Sequence, residues 1–166
     1  CIGENIFNRY LSSEVGPINL PITEKLMSRV QLAINVDNLD EAIVFYSKLF
    51  ATKPLKSRPG YANFSITDPP LKLVLFENPG DGGSINHLGV EVECIDDVLT
   101  TEKRLVDSNL ITTGIDETQC CYAEKTETWV NGPDGVRWEW YVKHADSEQF
   151  ENKILERSAS EAECCS

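Results

Sequence analysis

The feature that most constrains the fold is a strand-like pattern that occurs twice along the chain. One copy is Gln31-Leu-Ala-Ile-Asn-Val-Asp, and the other is His87-Leu-Gly-Val-Glu-Val-Glu. In both copies large apolar residues alternate with small or polar ones, as in a half-buried β-strand. Repetition over this spacing is typical of a duplicated module, in which each half covers an apolar sheet face that the other half exposes.

The first copy begins a series of one strand, one helix and three short strands. The strand is predicted over residues 29–36. Asn38 and Glu41 then form a capping box in front of apolar residues at helical spacing, which end at Phe50. Proline and glycine separate three extended pieces, of which residues 71–76 are the most apolar. The first half is therefore predicted to be βαβββ.

The second copy begins a similar series with a strand over residues 85–93. Apolar residues at helical spacing start at Ile95 and predict a helix that ends at Asn109. Extended pieces are predicted around Ile111, Tyr122, Trp129 and Trp138. The chain is thus predicted to have an α+β fold of two βαβββ modules, which can pair within one chain or between two.

Composition and charge limit the class of protein. With 166 residues and 41% hydrophobic content, the chain is long enough for one domain with a sizeable core. Its net charge of -12 disfavours binding to nucleic acid or to an anionic membrane. Its apolar runs are shorter than the ~20 residues that a membrane span requires, and the N-terminal stretch lacks the pattern of a signal peptide. A cytoplasmic protein that binds a small molecule is expected.

The regular pattern covers only part of the chain. It starts beside Met27, the only methionine, so residues 1–26 are interpreted as an extension outside the domain or as a remnant of upstream translation. The domain itself is expected over residues 27–145. Residues 146–166 are polar and acidic and are predicted to form a tail.

Three polar residues occupy positions that can face one shared cup. Superposing the repeats places Gln31 opposite His87, each at the start of its strand and on the face away from the large apolar residues. The residues two positions on, Ala33 and Gly89, are small and leave room for a ligand. Glu139 lies between two tryptophans, where an uncompensated charge is costly. Each residue alone is more often structural, but together they favour a divalent metal site.

Cys120 and Cys121 are one of two pairs of neighbouring cysteines among the six in the chain, and the other pair is Cys164 and Cys165. Such pairs are unusual in a disulfide framework, so reduced thiols are expected. In a regular strand the two side chains of a pair point to opposite faces, so both sulfurs can bind one atom only where the backbone turns. From the residues alone, a site for a soft ligand and a pair of structural cysteines are equally open for Cys120 and Cys121. The tail pair is interpreted as incidental.

Five segments resemble, in the right order, the vicinal oxygen chelate superfamily, which includes glyoxalases, extradiol dioxygenases and bleomycin-binding proteins. They are most similar to its carbon-arsenic lyase and cadmium-induced protein branch, and the resemblance covers roughly residues 27–145. The segments are residues 27–33, 58–64, 68–75, 86–92 and 120–123.

The resemblance implies an open barrel and a non-haem Fe(II) dioxygenase that cleaves the carbon-arsenic bond of trivalent organoarsenicals such as methylarsenite. It implies Gln31, His87 and Glu139 as the iron ligands, with Zn, Ni or Mn as alternative metals. The chemistry is consistent, because three protein ligands leave positions open for O2 and substrate. The resemblance also assigns arsenic to Cys120 and Cys121, since trivalent arsenic is thiophilic. Tyr61, Tyr122 and Trp129 are candidates for shaping the pocket, and a monomer or a homodimer is expected.

Two other functions stay open. Glyoxalase-type Zn or Ni lyases are similar at the same three positions, but they carry a fourth, carboxylate ligand where this chain has Val74. Glu77 lies three residues beyond Val74, so a shift in register would restore that possibility. The other alternative is a protein without turnover, which sequesters cadmium, arsenic or a drug in the same cup.

Overall fold

The two copies of the repeated strand lie side by side at the centre of a nine-stranded sheet. The computed structural model describes residues 28–155, so the predicted extension, Cys164 and Cys165 lie outside the described residues. The strand order in the sheet is β2-β3-β4-β1-β5-β8-β7-β6-β9. In chain order the elements are β1 (Arg29–Val36), α1 (Leu39–Leu49), β2 (Lys56–Arg58), β3 (Tyr61–Ile66), β4 (Leu71–Glu77), β5 (Ile85–Val92), α2 (Ile95–Asp107), β6 (Asp116–Cys120), β7 (Ala123–Asn131), β8 (Arg137–Asp146) and β9 (Lys153–Ile154).

The predicted duplication is confirmed. Elements β1 to β4 with α1 form one βαβββ module, and β5 to β8 with α2 form the other. Within each module the first strand pairs with the last in parallel, as β1 with β4 and β5 with β8. The modules join through the antiparallel pair β1 and β5, in which Gln31 lies opposite Gly89 and Ala33 opposite His87. This pseudo-symmetric pairing within one chain curls the sheet into an open half-barrel.

The ends of both helices follow the local sequence. Helix α1 begins where predicted, because the side chain of Asn38 accepts a hydrogen bond from the backbone N–H of Glu41 at 3.0 Å. Helix α2 ends at Asp107, and Asn109 adopts a positive φ of 62°. Asparagine tolerates this left-handed conformation and often terminates helices there. Neither helix of the described chain is long and apolar enough to cross a membrane.

The sheet has one face that packs against the helices and one face that forms a concave surface. Leu32 and Ile34 of β1 face α1 and pack on a buried cluster made by Val36, Leu39, Ala62, Phe64, Ile66, Leu73 and Leu75. The alternate residues Gln31, Ala33 and Asn35 lie on the concave face and are buried too. Burial of polar groups on that face requires partners, which the next section describes.

Two of the predicted extended pieces are wrong in position. Ile111 is 90% exposed and belongs to no strand, and its neighbour Thr112 makes only an isolated bridge with Val130. Tyr122 lies in the turn between β6 and β7. Strand β6 was not predicted, because its sequence Asp-Glu-Thr-Gln-Cys has no apolar alternation. Pairing with β7 on one side and with β9 on the other holds this strand in the sheet.

The first part of the predicted tail is folded against the domain. Residues 147–155, which we call the C-terminal strap, follow β8 and contain β9. Strand β9 pairs with β6, and the backbone carbonyls of Gln149 and Phe150 accept hydrogen bonds from the turn that precedes β7. Backbone hydrogen bonds rather than side-chain burial hold most of this segment in place. Its sequence therefore contains few apolar residues from which its position could be predicted.

Candidate metal centre and thiol pair

The concave face encloses a cavity of about 600 Å³. Its walls bring together seven of the eight residues predicted for the site, although they come from six different strands and a turn. They are Gln31, Tyr61, His87, Cys120, Cys121, Trp129 and Glu139. The eighth, Tyr122, lies behind the wall, where its ring packs on Tyr61 and on Phe150 of the strap.

The three predicted metal ligands converge at the bottom of the cavity. Nε2 of Gln31 lies 3.0 Å from Nε2 of His87 and 3.0 Å from Oε2 of Glu139. The His87 ring nitrogen and the Glu139 oxygen are 3.6 Å apart. Three atoms bonded to one metal ion at about 2.0–2.2 Å, at right angles to one another, stand roughly 3 Å apart. The spacing of these three side chains therefore suits one face of a metal coordination sphere.

Neighbouring polar groups orient two of these side chains. The other ring nitrogen of His87 lies 2.8 Å from the amide oxygen of Asn86, which only accepts hydrogen bonds, so Nδ1 carries the proton and Nε2 is free to bind a cation. The hydroxyl of Tyr141 donates to Oε1 of Gln31 at 2.6 Å. A hydroxyl can accept as well as donate, so Gln31 can turn its amide and present its oxygen to a metal while Nε2 bonds to Tyr141.

Gly89 leaves the space that this arrangement needs. A Cβ atom added at Gly89 would lie 3.4 Å from Cβ and Nε2 of Gln31 and 3.2 Å from the backbone oxygen of Glu139. The contact with the Glu139 backbone is tighter than most Cβ contacts, and the contacts with Gln31 are at the short end of the ordinary range, so a residue larger than alanine here would fill space beside Gln31. The small residue expected from the repeat alignment is thus favoured chiefly by the close approach of the β8 backbone at Glu139.

Glu139 is fully buried and is held by charge. The Lys125 ammonium contacts Oε1 of Glu139 and lies 2.7 Å from Oε2 of Glu127, which is buried as well. Burial disfavours the charged form of Glu139, but Lys125 holds the pKa of Glu139 well below its usual range. Burial raises the pKa of Glu127 to about 7, with Lys125 opposing the effect and Glu139 adding to it. When both carboxyls are ionised the trio carries one excess negative charge, which favours a bound cation.

The donor set limits which metal chemistry fits. Among residues 28–155 there is no cluster of three or more His, Cys, Asp or Glu side chains that could hold a metal ion. A metal in this cavity therefore depends on the amide oxygen of Gln31 as its third protein ligand. One imidazole, one carboxylate and one amide oxygen form a set of nitrogen and oxygen ligands that suits Fe(II), Mn(II) or Zn(II).

The fourth carboxylate of a glyoxalase-type site is missing from the corresponding position. Val74 of β4 pairs with Ala33 of β1 and is buried in an apolar cluster. Glu77 does not substitute for it, because its carboxylate accepts the backbone N–H of Leu39 at 3.0 Å, at the N-terminus of α1. The register of β4 therefore excludes the shift that would bring Glu77 into the cavity.

The sulfur atoms of Cys120 and Cys121 lie 2.9 Å apart. Cys120 ends β6, and Cys121 and Tyr122 form the two-residue turn before Ala123 begins β7. Both turn residues have positive φ, 54° at Cys121 and 62° at Tyr122, as in a type I′ hairpin turn. The turn removes the strand geometry that would separate the two thiols, so both sulfurs can contact one soft atom.

The two thiols share one hydrogen bond and differ in acidity. Hydrogen bonding from Cys121 lowers the pKa of Cys120, and the same bond together with burial raises the pKa of Cys121. Lys125 favours the thiolate of either residue. Either sulfur can donate the shared hydrogen bond, so one thiolate of the pair is stabilised by the other thiol and supplies the nucleophilic sulfur for binding a thiophilic atom.

Aromatic rings line the cavity between the thiols and the polar cluster, which consists of Gln31, His87 and Glu139. The Phe76 ring lies 6.0 Å from the ring of His87 and 5.5 Å from that of Tyr61. Trp129 contacts the other side of His87 edge-on, at 5.2 Å between centroids. Phe150 of the strap lies 6.2 Å from Phe76 and also lines the cavity. The aromatic rings therefore border the space between the two groups, together with charged and polar residues of the cavity wall.

Several of these residues were missed by the sequence analysis, namely Asn86, Lys125, Glu127, Tyr141 and Phe150. Parity along the strands could have identified three of them. Lys125, Glu127 and Trp129 occupy every second position of β7. Glu139 and Tyr141 do the same in β8, so the missed residues share a face with the predicted ones. No local pattern marks Phe150, because the fold of the strap brings it to the cavity.

Comparison with known proteins identifies the family of the chain. Residues 28–140 match the Glyoxalase/Bleomycin resistance protein/Dioxygenase superfamily. A solved structure, the Mn(II)-bound glyoxalase of Novosphingobium aromaticivorans, superposes with a TM-score of 0.53 at 16% identity, over 74% of this chain and 43% of that one. That likeness shows the fold, and it agrees with the duplicated βαβββ architecture.

Two groups of relatives are much more similar to the chain in sequence. The chain is 53% identical over 142 residues to the cadmium-induced protein CadI of Mycobacterium tuberculosis, covering 84% of this chain and 93% of that protein. It is 49% identical over 140 residues to the trivalent organoarsenical cleaving enzyme of Thermomonospora curvata, covering 84% and 89%. The chain therefore belongs to the glyoxalase/bleomycin resistance protein/dioxygenase superfamily, in the branch that contains the cadmium-induced proteins and the trivalent organoarsenical cleaving enzymes.

Proposed function

We propose that this protein is an Fe(II)-dependent dioxygenase that cleaves the carbon-arsenic bond of trivalent organoarsenicals such as methylarsenite, as part of arsenic detoxification. The observation that carries the proposal is the pair of sulfurs of Cys120 and Cys121, 2.9 Å apart, in the cavity that also holds Gln31, His87 and Glu139. A relative at 49% identity is named for the cleavage of trivalent organoarsenicals, which supports the same activity here.

The thiol pair binds the arsenic of the substrate. Trivalent arsenic is soft and forms bonds to sulfur in preference to oxygen or nitrogen ligands. Once Cys120 has bound, Cys121 is already in place, so the second bond costs little further entropy. The turn fixes the arsenic at one end of the cavity and directs its organic group along the aromatic wall, which Tyr61, Phe76 and Trp129 form.

The polar cluster holds the metal. Gln31, His87 and Glu139 would bind Fe(II) with positions left for other ligands, and Fe(II) there supplies the activation of O2 that oxidative cleavage needs. The chain contributes orientation and charge to that site. Asn86 fixes the tautomer of His87, and Lys125 keeps Glu139 ionised.

Aromatic rings border the space between the two sites. Tyr61, Phe76 and Trp129 lie around it, and Phe150 lines it on the side of the strap. We expect these apolar rings to limit the water beside the bound substrate, which strengthens electrostatic contacts there. The arrangement favours a dioxygenase over a glyoxalase-type lyase, since Val74 supplies no fourth carboxylate.

A second candidate is sequestration without turnover. The same thiol pair can hold a soft ion such as Cd(II) or arsenite, and the relative at 53% identity is named as a cadmium-induced protein. In that case the cavity would bind the ion, and the polar cluster would have only a structural role.

An anaerobic loading experiment separates these functions. Full-length protein is loaded with Fe(II) without O2, mixed with methylarsenite, and exposed to O2 while O2 uptake and arsenite release are measured. We expect both, in equal amounts, and neither in His87→Ala, which should also fail to retain iron. Zinc-loaded wild type is the matched control for binding without redox chemistry.

Each other outcome points to one alternative. Tight binding of methylarsenite or Cd(II) without O2 uptake in the iron-loaded protein would favour sequestration. Turnover of a glutathione hemithioacetal by the Zn- or Ni-loaded protein, with no reaction of methylarsenite, would favour the lyase.

A further inference from the structure

The turn at Cys120 and Cys121 places two thiols in contact in the wall of the cavity. Their sulfurs are 2.9 Å apart, and both side chains are only half-buried. A disulfide bond is about 2.05 Å long, so the two sulfurs need to approach by only roughly 0.9 Å to form one. The geometry that suits a soft ligand therefore also suits oxidation of the pair.

The surroundings of the pair favour the reactive form of a thiol. The charge of Lys125 opposes the rise that burial causes in the pKa of Cys120 and of Cys121. A thiolate at either residue can accept a hydrogen bond from the thiol of the other. Because the thiolate is the form that reacts with oxidants, the pair is suited to react with a peroxide that enters the cavity.

The backbone around the pair is fixed by hydrogen bonds. The N–H groups of Cys121 and Tyr122 donate to the carbonyls of Phe150 and Gln149, at 3.0 and 2.8 Å. Cys120 pairs with Ala123 across the turn. Side-chain torsions are therefore sufficient to bring the sulfurs together, and the turn keeps its place in the cavity wall.

A disulfide between these residues would be strained. It closes an eight-membered ring through the trans peptide bond that joins them. The Cα atoms of neighbouring residues are about 3.8 Å apart, whereas the Cα atoms of most disulfides are about 4.4–6.8 Å apart. Strain makes a disulfide easier to reduce, and labile disulfides of this kind are typical of regulatory rather than structural bonds.

We propose that Cys120 and Cys121 are a site of reversible oxidation, at which a peroxide converts the two thiols to a vicinal disulfide that no longer binds a soft metal or metalloid. One thiolate attacks hydrogen peroxide, which gives a sulfenic acid and one water. The neighbouring thiol attacks that sulfur, the S–S bond forms, and the oxygen leaves as a second water. The pair thus loses two electrons and two protons, and the peroxide gains both.

The second thiol also protects the first from irreversible damage. A sulfenic acid that meets no thiol is oxidised further to sulfinic and sulfonic acids, which cellular thiols do not reduce. A thiol already in contact traps the sulfenic acid first, and small thiols then restore the pair by exchange. The loss of arsenical binding on oxidation rests on the proposed function, whereas the formation of the disulfide does not.

The test follows the chemical state of the pair and its ligand binding together. The full chain without iron is treated with hydrogen peroxide, freed of it, and divided between tryptic peptide mapping and calorimetric titration with methylarsenite. Cleavage after Arg104 and Lys125 isolates both thiols in one peptide, which contains no other cysteine. We expect this peptide to lose two hydrogen atoms and the protein to lose methylarsenite binding. A phosphine reductant should reverse both changes.

Two variants serve as controls. Cys121→Ser leaves Cys120 without a neighbouring thiol, so its peptide should gain two or three oxygen atoms that the reductant does not remove. Cys94, the third cysteine of residues 28–155, is exposed and lies 3.3 Å from a carboxylate oxygen of Asp97. Cys94→Ser should therefore behave as wild type does. A wild-type peptide that gains oxygen atoms, or that stays reduced at a peroxide concentration that oxidises Cys94, would overturn the proposal.

Failure of the proposed function gives a different result. A peptide that loses two hydrogen atoms while methylarsenite binding is unchanged would support the oxidation site and remove arsenic from the proposed function. Loss of methylarsenite binding on oxidation without a disulfide in that peptide would overturn the oxidation site and leave the proposed function standing.

Discussion

Cys120 and Cys121 bring their sulfur atoms to 2.9 Å although they are neighbours on the chain. Successive residues of a strand point to opposite faces, so this approach exists only because Cys121 leaves the strand with a φ of 54°. A side chain other than glycine in that conformation costs about 1–2 kcal/mol. The fold retains this strain at the residues that we assign to the substrate, as is common at functional sites.

Single serine substitutions in the pair should separate arsenic binding from metal binding. Cys120→Ser and Cys121→Ser should each lose most affinity for methylarsenite, since one thiolate cannot chelate arsenic. Both variants should retain Fe(II), because neither cysteine is among the proposed metal ligands. Calorimetry and an iron assay on the same preparations measure both. The double variant Cys164→Ser, Cys165→Ser is the control and should bind as wild type does. Wild-type affinity for methylarsenite in both single variants would show that the cysteine pair does not bind arsenic.

Two substitutions that remove the thiol of Cys121 should reveal the strain in the turn. Cys121→Gly and Cys121→Ala both abolish chelation, but only glycine adopts a positive φ without steric cost. We expect the glycine variant to be more stable than the alanine variant by about 1 kcal/mol, although glycine in an ordinary position is the less stable of the two. Urea unfolding of both measures the difference. An alanine variant that is the more stable one would show that the turn is relaxed.

Two truncations should distinguish the strap from the rest of the predicted tail. A chain that stops after Leu155 keeps the strap and should match the full chain in thermal midpoint and arsenical affinity. A chain that stops after Asp146 loses the carbonyls that accept the N–H groups of Cys121 and Tyr122, at 3.0 and 2.8 Å, and loses Phe150 from the cavity. It should melt lower and bind methylarsenite more weakly. Equal behaviour of the two truncated chains would contradict a role for the strap.

The pairing of Glu91 with two cations predicts a dependence of stability on pH. Burial alone would raise the pKa of Glu91, but Lys72 and Arg29 hold it below its usual value. A lowered carboxyl pKa stabilises the fold above the unfolded value of about 4.3, and this contribution is lost as the pH falls through the folded pKa. Glu91→Gln should therefore be less stable than wild type at pH 7.

The difference should shrink at pH 3, because below pH ~4.3 the unfolded chain binds a proton at this carboxyl and the advantage of the folded ion pair falls. Urea unfolding at the two pH values measures it. Asp107→Asn removes one partner of the exposed ion pair with Lys103 and should change stability little at either pH. A deficit of Glu91→Gln that stays constant between pH 7 and pH 3 would contradict a paired, charged Glu91.

The local sequence was sufficient to predict every feature that depends on a single strand or helix. Strand β1 and helix α1 were predicted because alternation and the Asn38 cap depend on neighbouring residues only. The repeat indicated the fold, since two similar half-sheets must cover each other. It also placed Gln31 and His87 on the concave face, because the parity of a strand is a local property.

Tertiary structure alone decided how those residues meet. The distances of 3.0 and 3.6 Å among Gln31, His87 and Glu139 depend on the pairing of β1, β5 and β8, which joins residues more than fifty positions apart. The ion pairs of Lys125 and the position of Phe150 on the cavity have the same origin. Local sequence determines which face of a strand a residue occupies, whereas long-range packing determines which other residue stands opposite, because the contacts that select a register lie in distant parts of the chain.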